Sequence, residues 1–211
     1  MNADSIAGLD SNSDLLPGIY EGGFKLWECT HDLLEYLSDN IVFNNGDKVF
    51  EIGCGSGLLG IQCLLRGAHC VHFQDFNLDV LKWFTIPNIA INCSGVSDKQ
   101  ALFQTRCNFF FGDWRNVKQQ LAELNLKYDY IFSSETIYNT QNYSAFVELV
   151  KSCLASNGVA FIAAKSYYFG VGGGMHDFEQ FIQNDDRLQS SVCATIDASV
   201  PRQIIKLHFK A

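Results

Sequence analysis

The most restrictive feature of the sequence is a series of short apolar segments, rich in β-branched and aromatic residues, that alternate with stretches of helical periodicity. Five such segments are predicted strands: residues 49–52, 70–74, 108–111, 128–132 and 159–163. Apolar side chains recur at helical spacing in residues 27–37, ahead of the first strand, and in residues 143–154, after the fourth. This alternation predicts a parallel sheet with crossover helices.

The C-terminal part of the sequence predicts a different kind of strand pair. A helix that begins at about Met175 precedes two more strand candidates, residues 192–196 and 203–209, and residues 197–201 connect them. A connection this short cannot form a right-handed crossover, so the two strands should be antiparallel. We therefore predict an α/β fold, Rossmann-like and seven-stranded, whose mostly parallel sheet ends in an antiparallel hairpin.

Length and composition agree with a single domain. The 211 residues are enough for one sizeable core, and no internal repeat or linker divides them. Residues 1–13 are small and polar, which predicts a flexible N-terminal tail, and residues 14–211 form the predicted domain. The chain opens with no signal-peptide pattern and has no run of eighteen apolar residues, so we expect no membrane segment.

Cysteines and charge restrict the compartment and the partners. Most of the eight cysteines lie in apolar runs and none forms a CxxC pair, which predicts buried reduced thiols and a location in the cytoplasm, the nucleus or both. The net charge is −8 and no basic stripe is visible, so we expect no direct nucleic-acid binding. An acidic surface suits a basic protein partner through long-range steering. We expect a monomer.

A glycine-rich loop follows the first predicted strand. In VFEIGCGSGLLG, the strand runs directly into Gly53, Gly55 and Gly57, and a helix is predicted from residue 58 to 66. Glycines permit a tight turn against which a ligand can lie, and the free N–H groups of the new helix favour an anionic or polar ligand group. Because GSGLLG also satisfies the dinucleotide fingerprint GxGxxG, the loop alone leaves a nicotinamide cofactor and S-adenosylmethionine both open.

Three further features favour S-adenosylmethionine as the cofactor. Glu51, just before the loop, would repel a pyrophosphate but suits an ammonium group. Asp75 ends the second strand in HFQDFN, where it can accept both ribose hydroxyls. In FGDW after the third strand, Asp113 can take the adenine amino group and Trp114 can stack on the ring. The alternative is that Gly112 and Asp113 only form a turn and that Trp114 is a core residue.

The fourth and fifth strands end in polar and aromatic segments, SETIYN and KSYYFGVGGG. Reactive groups gather beyond the carboxyl ends of the central strands in an open parallel sheet. The glycines at 172–174 suggest close backbone approach to a substrate or a mobile lid. The five histidines have no zinc-like spacing, so we predict no metal site.

Together, the segment from Asp14 to Thr30 and the motifs GCGSGLLG, HFQDFN, SETIYN and YYFGVGGG resemble the histidine protein methyltransferases, a branch of the seven-strand class I methyltransferases. The similarity runs from about Asp14 to the C-terminus, and SETIYN and FGVGGG are its most discriminating motifs. The resemblance implies transfer of a methyl group from S-adenosylmethionine to the distal ring nitrogen of one histidine in a large-subunit ribosomal protein. Members of this family usually carry a longer N-terminal region than the one seen here.

The resemblance also implies which residues contact the cofactor and the substrate. The implied cofactor contacts, with Asn77 added from the same motif, are Leu26, Trp27, Glu28, Cys29, Thr30, Gly53, Gln74, Asp75, Phe76, Asn77, Gly112, Asp113, Trp114, and Ser133 or Ser134. Trp27 is equally compatible with core packing, because it lies on the apolar stripe of its helix. The predicted substrate-binding residues are Tyr168, Gly172, Gly173, Gly174 and His176.

A sulfonium is an activated methyl donor, so the protein mainly has to align the reactants and hold the histidine tautomer. Glu135, Tyr138 and Asn139 are the candidates for accepting the ring N–H, and Glu135 could instead be a carboxylate at a helix N-terminus. Three other functional hypotheses stay open: a protein-lysine methyltransferase, a small-molecule methyltransferase, and a non-catalytic scaffold that binds S-adenosylmethionine. Glu51 and the terminal hairpin argue against a nicotinamide oxidoreductase.

Overall fold

The computed structural model describes residues 14–94 and 102–210, so the predicted tail 1–13 lies outside the described residues. The seven strands are β1 (Lys48–Ile52), β2 (Cys70–Asp75), β3 (Cys107–Phe111), β4 (Tyr128–Ser134), β5 (Leu154–Lys165), β6 (Leu188–Ile196) and β7 (Arg202–Phe209). They form one sheet in the order β3-β2-β1-β4-β5-β7-β6. The first five are parallel, and β7 is antiparallel to both β5 and β6. The predicted fold and its terminal hairpin are confirmed.

Helices connect the strands. They are α1 (Glu28–Asn40), α2 (Leu58–Leu65), α3 (Leu78–Val80), α4 (Ile86–Asn92), α5 (Trp114–Glu123), α6 (Tyr143–Cys153) and α7 (Met175–Gln183). A π-helical segment, Leu81–Thr85, joins α3 to α4, and a second one, Leu102–Arg106, leads into β3. A short 3₁₀ turn, Thr140–Asn142, precedes α6.

Each face of the sheet carries a separate apolar core, because successive side chains of a strand point to opposite faces. Phe50 of β1 stacks on Tyr128 of β4 with ring centroids 4.8 Å apart, on the face covered by α5, α6 and α7. Val49, next to Phe50, faces the other core, which α1, α2 and α4 cover. Burial of each large apolar side chain is worth about 1.5–3 kcal/mol, so these two cores fix which strands lie at the centre.

Each predicted strand lies where the structure has one, but each observed strand extends beyond the predicted range at one or both ends. The largest difference is β5, which begins at Leu154 although the sequence predicts residue 159. Residues 155–158 are polar or small and add no apolar periodicity, and the pairing with β4 is irregular between Tyr128 and Tyr130. Backbone pairing therefore extends this strand where the side-chain pattern gives no signal.

The predicted burial of the cysteines is confirmed for seven of the eight residues, while Cys193 is partly exposed. All eight lie in the described part of the chain and are unpaired there. In the described ranges no helix is both long and apolar enough to cross a bilayer.

Candidate active site

A cavity of about 270 Å³ lies at the carboxyl ends of the parallel strands, the edge where open α/β sheets bind ligands. Segments that follow β1, β2, β3 and β4 form one side of it, and residues ahead of α1 form the other. The predicted site residues that line this cavity are Leu26, Trp27, Thr30, Gly53, Gly55, Gln74, Asp75, Phe76, Gly112, Asp113, Trp114, Ser134, Glu135, Tyr138 and Asn139.

The loop after β1 forms the floor of the cavity. Gly53 and Gly55 have φ angles of 65° and 47°, in the left-handed region that favours glycine. A Cβ atom on Gly55 would lie 3.0 Å from the carbonyl oxygen of Gly23, which passes across the loop. The backbone N–H of Cys54 donates to the carbonyl of Gln74 at 2.7 Å, which ties the loop to β2. The floor is therefore bare backbone held between two chain segments.

Asp75, the last residue of β2, is a buried carboxylate beside this floor. Its Oδ2 atom accepts from the N–H of Gly55 at 3.0 Å and its Oδ1 atom from the N–H of Asn77 at 3.0 Å. Burial raises the pKa of Asp75 to about 6, and these two backbone hydrogen bonds oppose the rise. A carboxylate has about four acceptor positions, so the backbone donors leave acceptor capacity for the ribose of a cofactor.

Gln74 connects the ends of three neighbouring strands. This fully buried side chain accepts from the backbone N–H of Gly53 and from the indole N–H of Trp114, both at 3.1 Å, and donates to the carbonyl of Gly112 at 3.1 Å. The Trp114 ring also packs edge-on against Phe146, with centroids 5.1 Å apart. Trp114 is thus both a core residue and part of the cavity wall.

Asp113 lies in the wall but its carboxylate already has partners. It caps α5 by accepting from the N–H of Arg115 at 2.7 Å, and it pairs with the Arg115 guanidinium at 3.1 Å. An adenine amino group would share this carboxylate with Arg115, so the turn interpretation explains most of what Asp113 does here.

The N-terminus of α1 forms the next part of the wall. Thr30 and Ser134 share a hydrogen bond between their hydroxyl oxygens at 2.8 Å, which ties α1 to the end of β4. Trp27 donates its indole N–H to the carbonyl of Gly22 at 3.1 Å, and the Lys25 ammonium lies 4.5 Å from its ring centroid. The Trp27 ring therefore lines the cavity, is only partly buried, and has the Lys25 ammonium over its face.

Glu135, the residue after β4, joins three elements through its side chain. Its φ angle is 59°, unusual for a residue other than glycine, and only 8% of its surface is exposed. Oε1 accepts from the N–H of Cys29 in the first turn of α1 at 3.3 Å, and Oε2 accepts from the hydroxyl of Tyr168. The ammonium of Lys165, at the end of β5, lies 3.9 Å from Oε1. Glu135 is thus a carboxylate at a helix N-terminus, here that of α1, which is the alternative to its role as an acceptor for the ring N–H.

Tyr138 and Asn139 complete the wall beyond β4. The Tyr138 hydroxyl donates to Oε2 of Glu21, and its ring meets the Tyr168 ring edge-on with centroids 6.2 Å apart. Burial and the nearby Glu21 carboxylate raise the pKa of Tyr138, so this phenol is neutral at ordinary pH. Asn139 uses its side-chain oxygen to accept from the N–H of Gln141 at 3.0 Å.

The contact expected between Glu51 and a ligand ammonium is wrong in this structure. The Glu51 carboxylate is buried under α2, where it accepts from the N–H of Gly60 at 2.8 Å, and it does not line the cavity. Strand alternation explains this, because Glu51 shares the sheet face of Val49, which α2 covers. Burial raises the pKa of Glu51 to about 8.

Five other predicted cofactor residues lie behind the wall instead of in it. Ser133 donates its hydroxyl to the carbonyl of Ile52 at 2.8 Å, and Asn77 accepts from the N–H of Glu21 at 3.1 Å. Glu28 pairs with Lys165 at 3.0 Å. The remaining two are Cys29, a residue of α1 whose side chain is buried in the core under that helix, and Gly57, which precedes α2.

The predicted substrate residues also lie outside the cavity: four are on the loop that joins β5 to α7, and His176 is in the first turn of α7. The Tyr168 hydroxyl points inward to Glu135, and Gly173 packs so closely on the backbone of Tyr138 that a Cβ there would lie 2.5 Å from its carbonyl oxygen. Gly174 donates its N–H to the Tyr143 hydroxyl at 2.9 Å, whereas Gly172 and His176 are exposed. Tyr168 and Gly173 therefore support the wall from behind.

The segment that closes the cavity on the other side was predicted only in part: the family resemblance includes it within residues 14–30, but Leu26 is the one lining residue of it that was predicted as a contact. Residues 17–26, called the N-terminal cover below, contribute Pro17, Gly18, Glu21, Gly22, Gly23, Lys25 and Leu26 to the lining. The signal was the Glu-Gly-Gly run at residues 21–23, because paired glycines ahead of a helix often mark close approach of backbone. Cys54, Ser56, Thr136, Gln141 and Asn142 are further lining residues that were not predicted.

The lining fits S-adenosylmethionine. Gly53 and Gly55 offer bare backbone, Asp75 has acceptor positions for ribose hydroxyls, and the Trp114 indole lies at the end of β3 beside them. No cluster of three histidine, cysteine, aspartate or glutamate side chains that could hold a metal occurs among the described residues.

Comparisons with known proteins agree with this fit. Residues 25–199 match the family described as "Methyltransferase domain". The chain is 40% identical over 217 residues to the "Histidine protein methyltransferase 1 homolog" of Rattus norvegicus, covering 95% of this chain and 60% of that relative. It is 31% identical over 236 residues to "Histidine protein methyltransferase 1" of Schizosaccharomyces pombe, covering 96% of this chain and 69% of the relative. The chain thus spans about two thirds or less of the length of these relatives.

Solved structures support the fold. A putative S-adenosylmethionine-dependent methyltransferase from Streptococcus mutans has a TM-score of 0.64 at 10% identity, covering 90% of this chain and 51% of that one. A second S-adenosylmethionine-dependent methyltransferase, from Agrobacterium tumefaciens, has a TM-score of 0.63 at 11% identity. The match covers 92% of this chain and 65% of that one.

Proposed function

Because this chain belongs to the histidine protein methyltransferase family, we propose that it transfers a methyl group to a ring nitrogen of a histidine side chain in a protein. The cofactor is S-adenosylmethionine, as the methyltransferase domain indicates and the cavity lining allows. The observation that carries the proposal is that the cofactor floor and the oxygen-bearing side chains after β4 line one cavity. Donor and acceptor would meet in the same chamber.

The residues of this chain would hold the cofactor by its polar groups and its ring. The Asp75 carboxylate would accept the ribose hydroxyls, the backbone of Gly53 and Gly55 would face the methionine part, and the Trp114 indole would lie against the adenine. When bound, S-adenosylmethionine supplies a methyl group that is already activated by the positive sulfur. The protein therefore has little to do beyond placing the two reacting atoms in line.

A neutral imidazole suits this chamber better than an amine does. At pH 7 much of an imidazole with the reference pKa of about 6.5 is unprotonated, whereas a lysine at about 10.4 must first lose a proton. The lone pair of one ring nitrogen forms the new N–C bond while the C–S bond breaks and its electron pair stays on sulfur. The methylated ring then loses the proton of its other nitrogen to water.

The finer assignment is part of the same proposal. We infer that the acceptor nitrogen is the one distant from Cβ and that the substrate is a basic large-subunit ribosomal protein. The sequence resemblance supports both, and the net charge of −8 favours a basic partner.

The test is product analysis. The purified chain is incubated with methyl-labelled S-adenosylmethionine and large ribosomal subunits from cells that lack the enzyme, and the protein is then hydrolysed in acid. We expect label in methylhistidine methylated at the distal nitrogen. Label confined to methyllysine or to small molecules would overturn the assignment. Methylhistidine in a non-ribosomal protein would overturn only the substrate.

A further inference from the structure

Three side chains after β4 could accept the N–H of an acceptor imidazole, and their hydrogen bonds differ. Each carboxylate oxygen of Glu135 already accepts one hydrogen bond, from the N–H of Cys29 and from the hydroxyl of Tyr168. Its remaining acceptor positions face the Lys165 ammonium, which lies 3.9 Å from Oε1 and competes with an imidazole N–H. Asn139 has its oxygen engaged by the N–H of Gln141 at 3.0 Å. Tyr138 instead donates its only proton, to Glu21. Among the described residues, nothing donates to the Tyr138 oxygen.

Two further hydrogen bonds orient Glu21 on the N-terminal cover. Its Oε1 atom accepts from the N–H of Gly18 at 2.7 Å, and its own N–H donates to the side-chain oxygen of Asn77 at 3.1 Å. Its Oε2 atom is thereby left for the Tyr138 hydroxyl. Glu21 and Tyr138 both line the cavity, so the pair lies between the cover and the wall where the acceptor would enter.

A phenol has one proton and two lone pairs, so the direction of its proton decides what it can do for a third group. With the proton on the Glu21 side, the oxygen of Tyr138 can only accept. An imidazole that approaches this oxygen must present its N–H, and the lone pair then resides on the other ring nitrogen. That other nitrogen is the one able to attack the methyl group.

We propose that Tyr138 accepts the N–H of the acceptor histidine and that Glu21 is a positioning residue, which sets the direction of the Tyr138 hydroxyl and thereby the tautomer that reacts. This inference rests on the proposed function, because it assumes a histidine acceptor. It selects one residue of the three candidates and adds Glu21, which the sequence did not indicate.

The test compares Tyr138→Phe, Glu21→Gln and the double variant in single-turnover reactions at saturating cofactor. Tyr138→Phe removes the accepting oxygen. Glu21→Gln keeps the shape but offers an amide N–H₂, which can donate to Tyr138 and turn its proton toward the substrate. We expect each single variant to slow methyl transfer by about tenfold to a hundredfold and to yield both methylhistidine isomers, because the ring is no longer held.

The double variant is the decisive measurement. If Glu21 acts through Tyr138, the double variant should be no slower than Tyr138→Phe alone. Multiplied losses, or a single product isomer at the wild-type rate in Tyr138→Phe, would overturn the proposal. Cofactor dissociation constants and melting temperatures exclude misfolding, and if one variant unfolds the other still decides through its isomer ratio.

Matched controls are Tyr130→Phe, in β4 and packed on the core outside the cavity lining, and Glu35→Gln, exposed on α1. Both should keep the wild-type rate and a single isomer. If the wild-type chain makes no methylhistidine, the proposed function itself fails. If the wild-type chain makes methylhistidine and the Tyr138 and Glu21 variants have the same rate and the same single isomer, only the positioning role fails.

Discussion

Asp75 and Glu51 are two buried carboxylates near the same glycine loop, and their surroundings give them different roles. Asp75 lines the cavity, whereas Glu51 lies under α2 and accepts from Gly60. Burial raises both pKa values, to about 6 for Asp75 and to about 8 for Glu51. The Asp75 titration should therefore appear in cofactor binding as well as in stability, and the Glu51 titration in stability alone.

Cofactor affinity should depend on pH through Asp75. The ribose hydroxyls of the proposed site would donate to the ionised carboxylate, which dominates above about pH 6 and is lost as the pH falls through that value. We expect the S-adenosylmethionine dissociation constant, measured by titration calorimetry, to rise below pH 6. Asp75→Ala should weaken binding at neutral pH by about 1.5–3 kcal/mol for each lost hydrogen bond. Asp75→Asn is the control, and its affinity should not change between pH 5 and 7.

Stability should depend on pH through Glu51. The folded-state pKa is raised, so between about pH 4.5 and 8 the folded chain holds a proton that the unfolded chain has released. The stability of the wild type should therefore fall as the pH rises through this range. Glu51→Gln keeps an acceptor for Gly60 but cannot ionise. We therefore expect its free energy of unfolding to increase relative to that of the wild type between pH 5 and 8, by at most about 4 kcal/mol. Urea unfolding measures this, and an equal gain in Glu35→Gln would contradict it.

At the scale of elements, the loop after β1 and the N-terminal cover meet at Gly55. Gly55→Arg would place a side chain against the carbonyl of Gly23, 3.0 Å from Cβ, and into the cofactor floor. We expect turnover to fall at least about a hundredfold while the circular dichroism spectrum stays that of a folded domain.

The matched control for backbone strain is Gly67→Arg. Gly67 has a φ angle of 97° but meets nothing within 4 Å, so this variant carries the strain without filling the cavity. Near-normal turnover in Gly55→Arg, or equal loss in both variants, would show that the loop is not the cofactor floor.

The loop between β5 and α7 presents aromatic side chains outward beside the cavity. Phe169 is 78% exposed and stacks edge-on with Tyr167, while Tyr168 between them points in to Glu135. We expect Phe169→Ser to raise KM for the protein substrate by about threefold to tenfold, as loss of buried apolar contact would. Cofactor affinity should stay unchanged. Val192→Ser, 49% exposed on β6, is the control, and an equal effect there would argue against a docking role for the loop.

Strand ends were predictable because a polar residue after an apolar run marks the place where a buried strand reaches the sheet edge. Asp75 and Trp114 were found in this way. Glu51 was misplaced because the motif was used without strand alternation, which puts its side chain under α2. Glu21 could not be found from strand patterns, since it lies in a segment without regular secondary structure whose contacts are distant in sequence.

For the whole molecule, the dependence of rate on pH separates a histidine acceptor from a lysine. At saturating cofactor and with chemistry rate-limiting, transfer to imidazole should rise through about pH 6.5 and level off above about 7.5. A lysine acceptor should still gain rate at pH 9 unless its site depresses the pKa strongly. Rates on a basic ribosomal-protein fragment from pH 5.5 to 9.5 measure this, and a rate that still climbs at pH 9 would contradict the histidine assignment.

The chamber is built from two parts of unequal stability. One half belongs to the seven-stranded sheet, whose opening requires unfolding of the cores. The other half, the N-terminal cover, is joined to the domain by hydrogen bonds, among them Tyr138 to Glu21 and Asn77 to the carbonyl of Ile19, and by the buried ring of Tyr20. Within residues 17–26, Tyr20 alone is a buried apolar side chain, so we expect the cover to detach at a lower free-energy cost than global unfolding. We expect exchange of spent for fresh cofactor to need only this local opening, while the sheet keeps Asp75 and the glycine loop in place between turnovers.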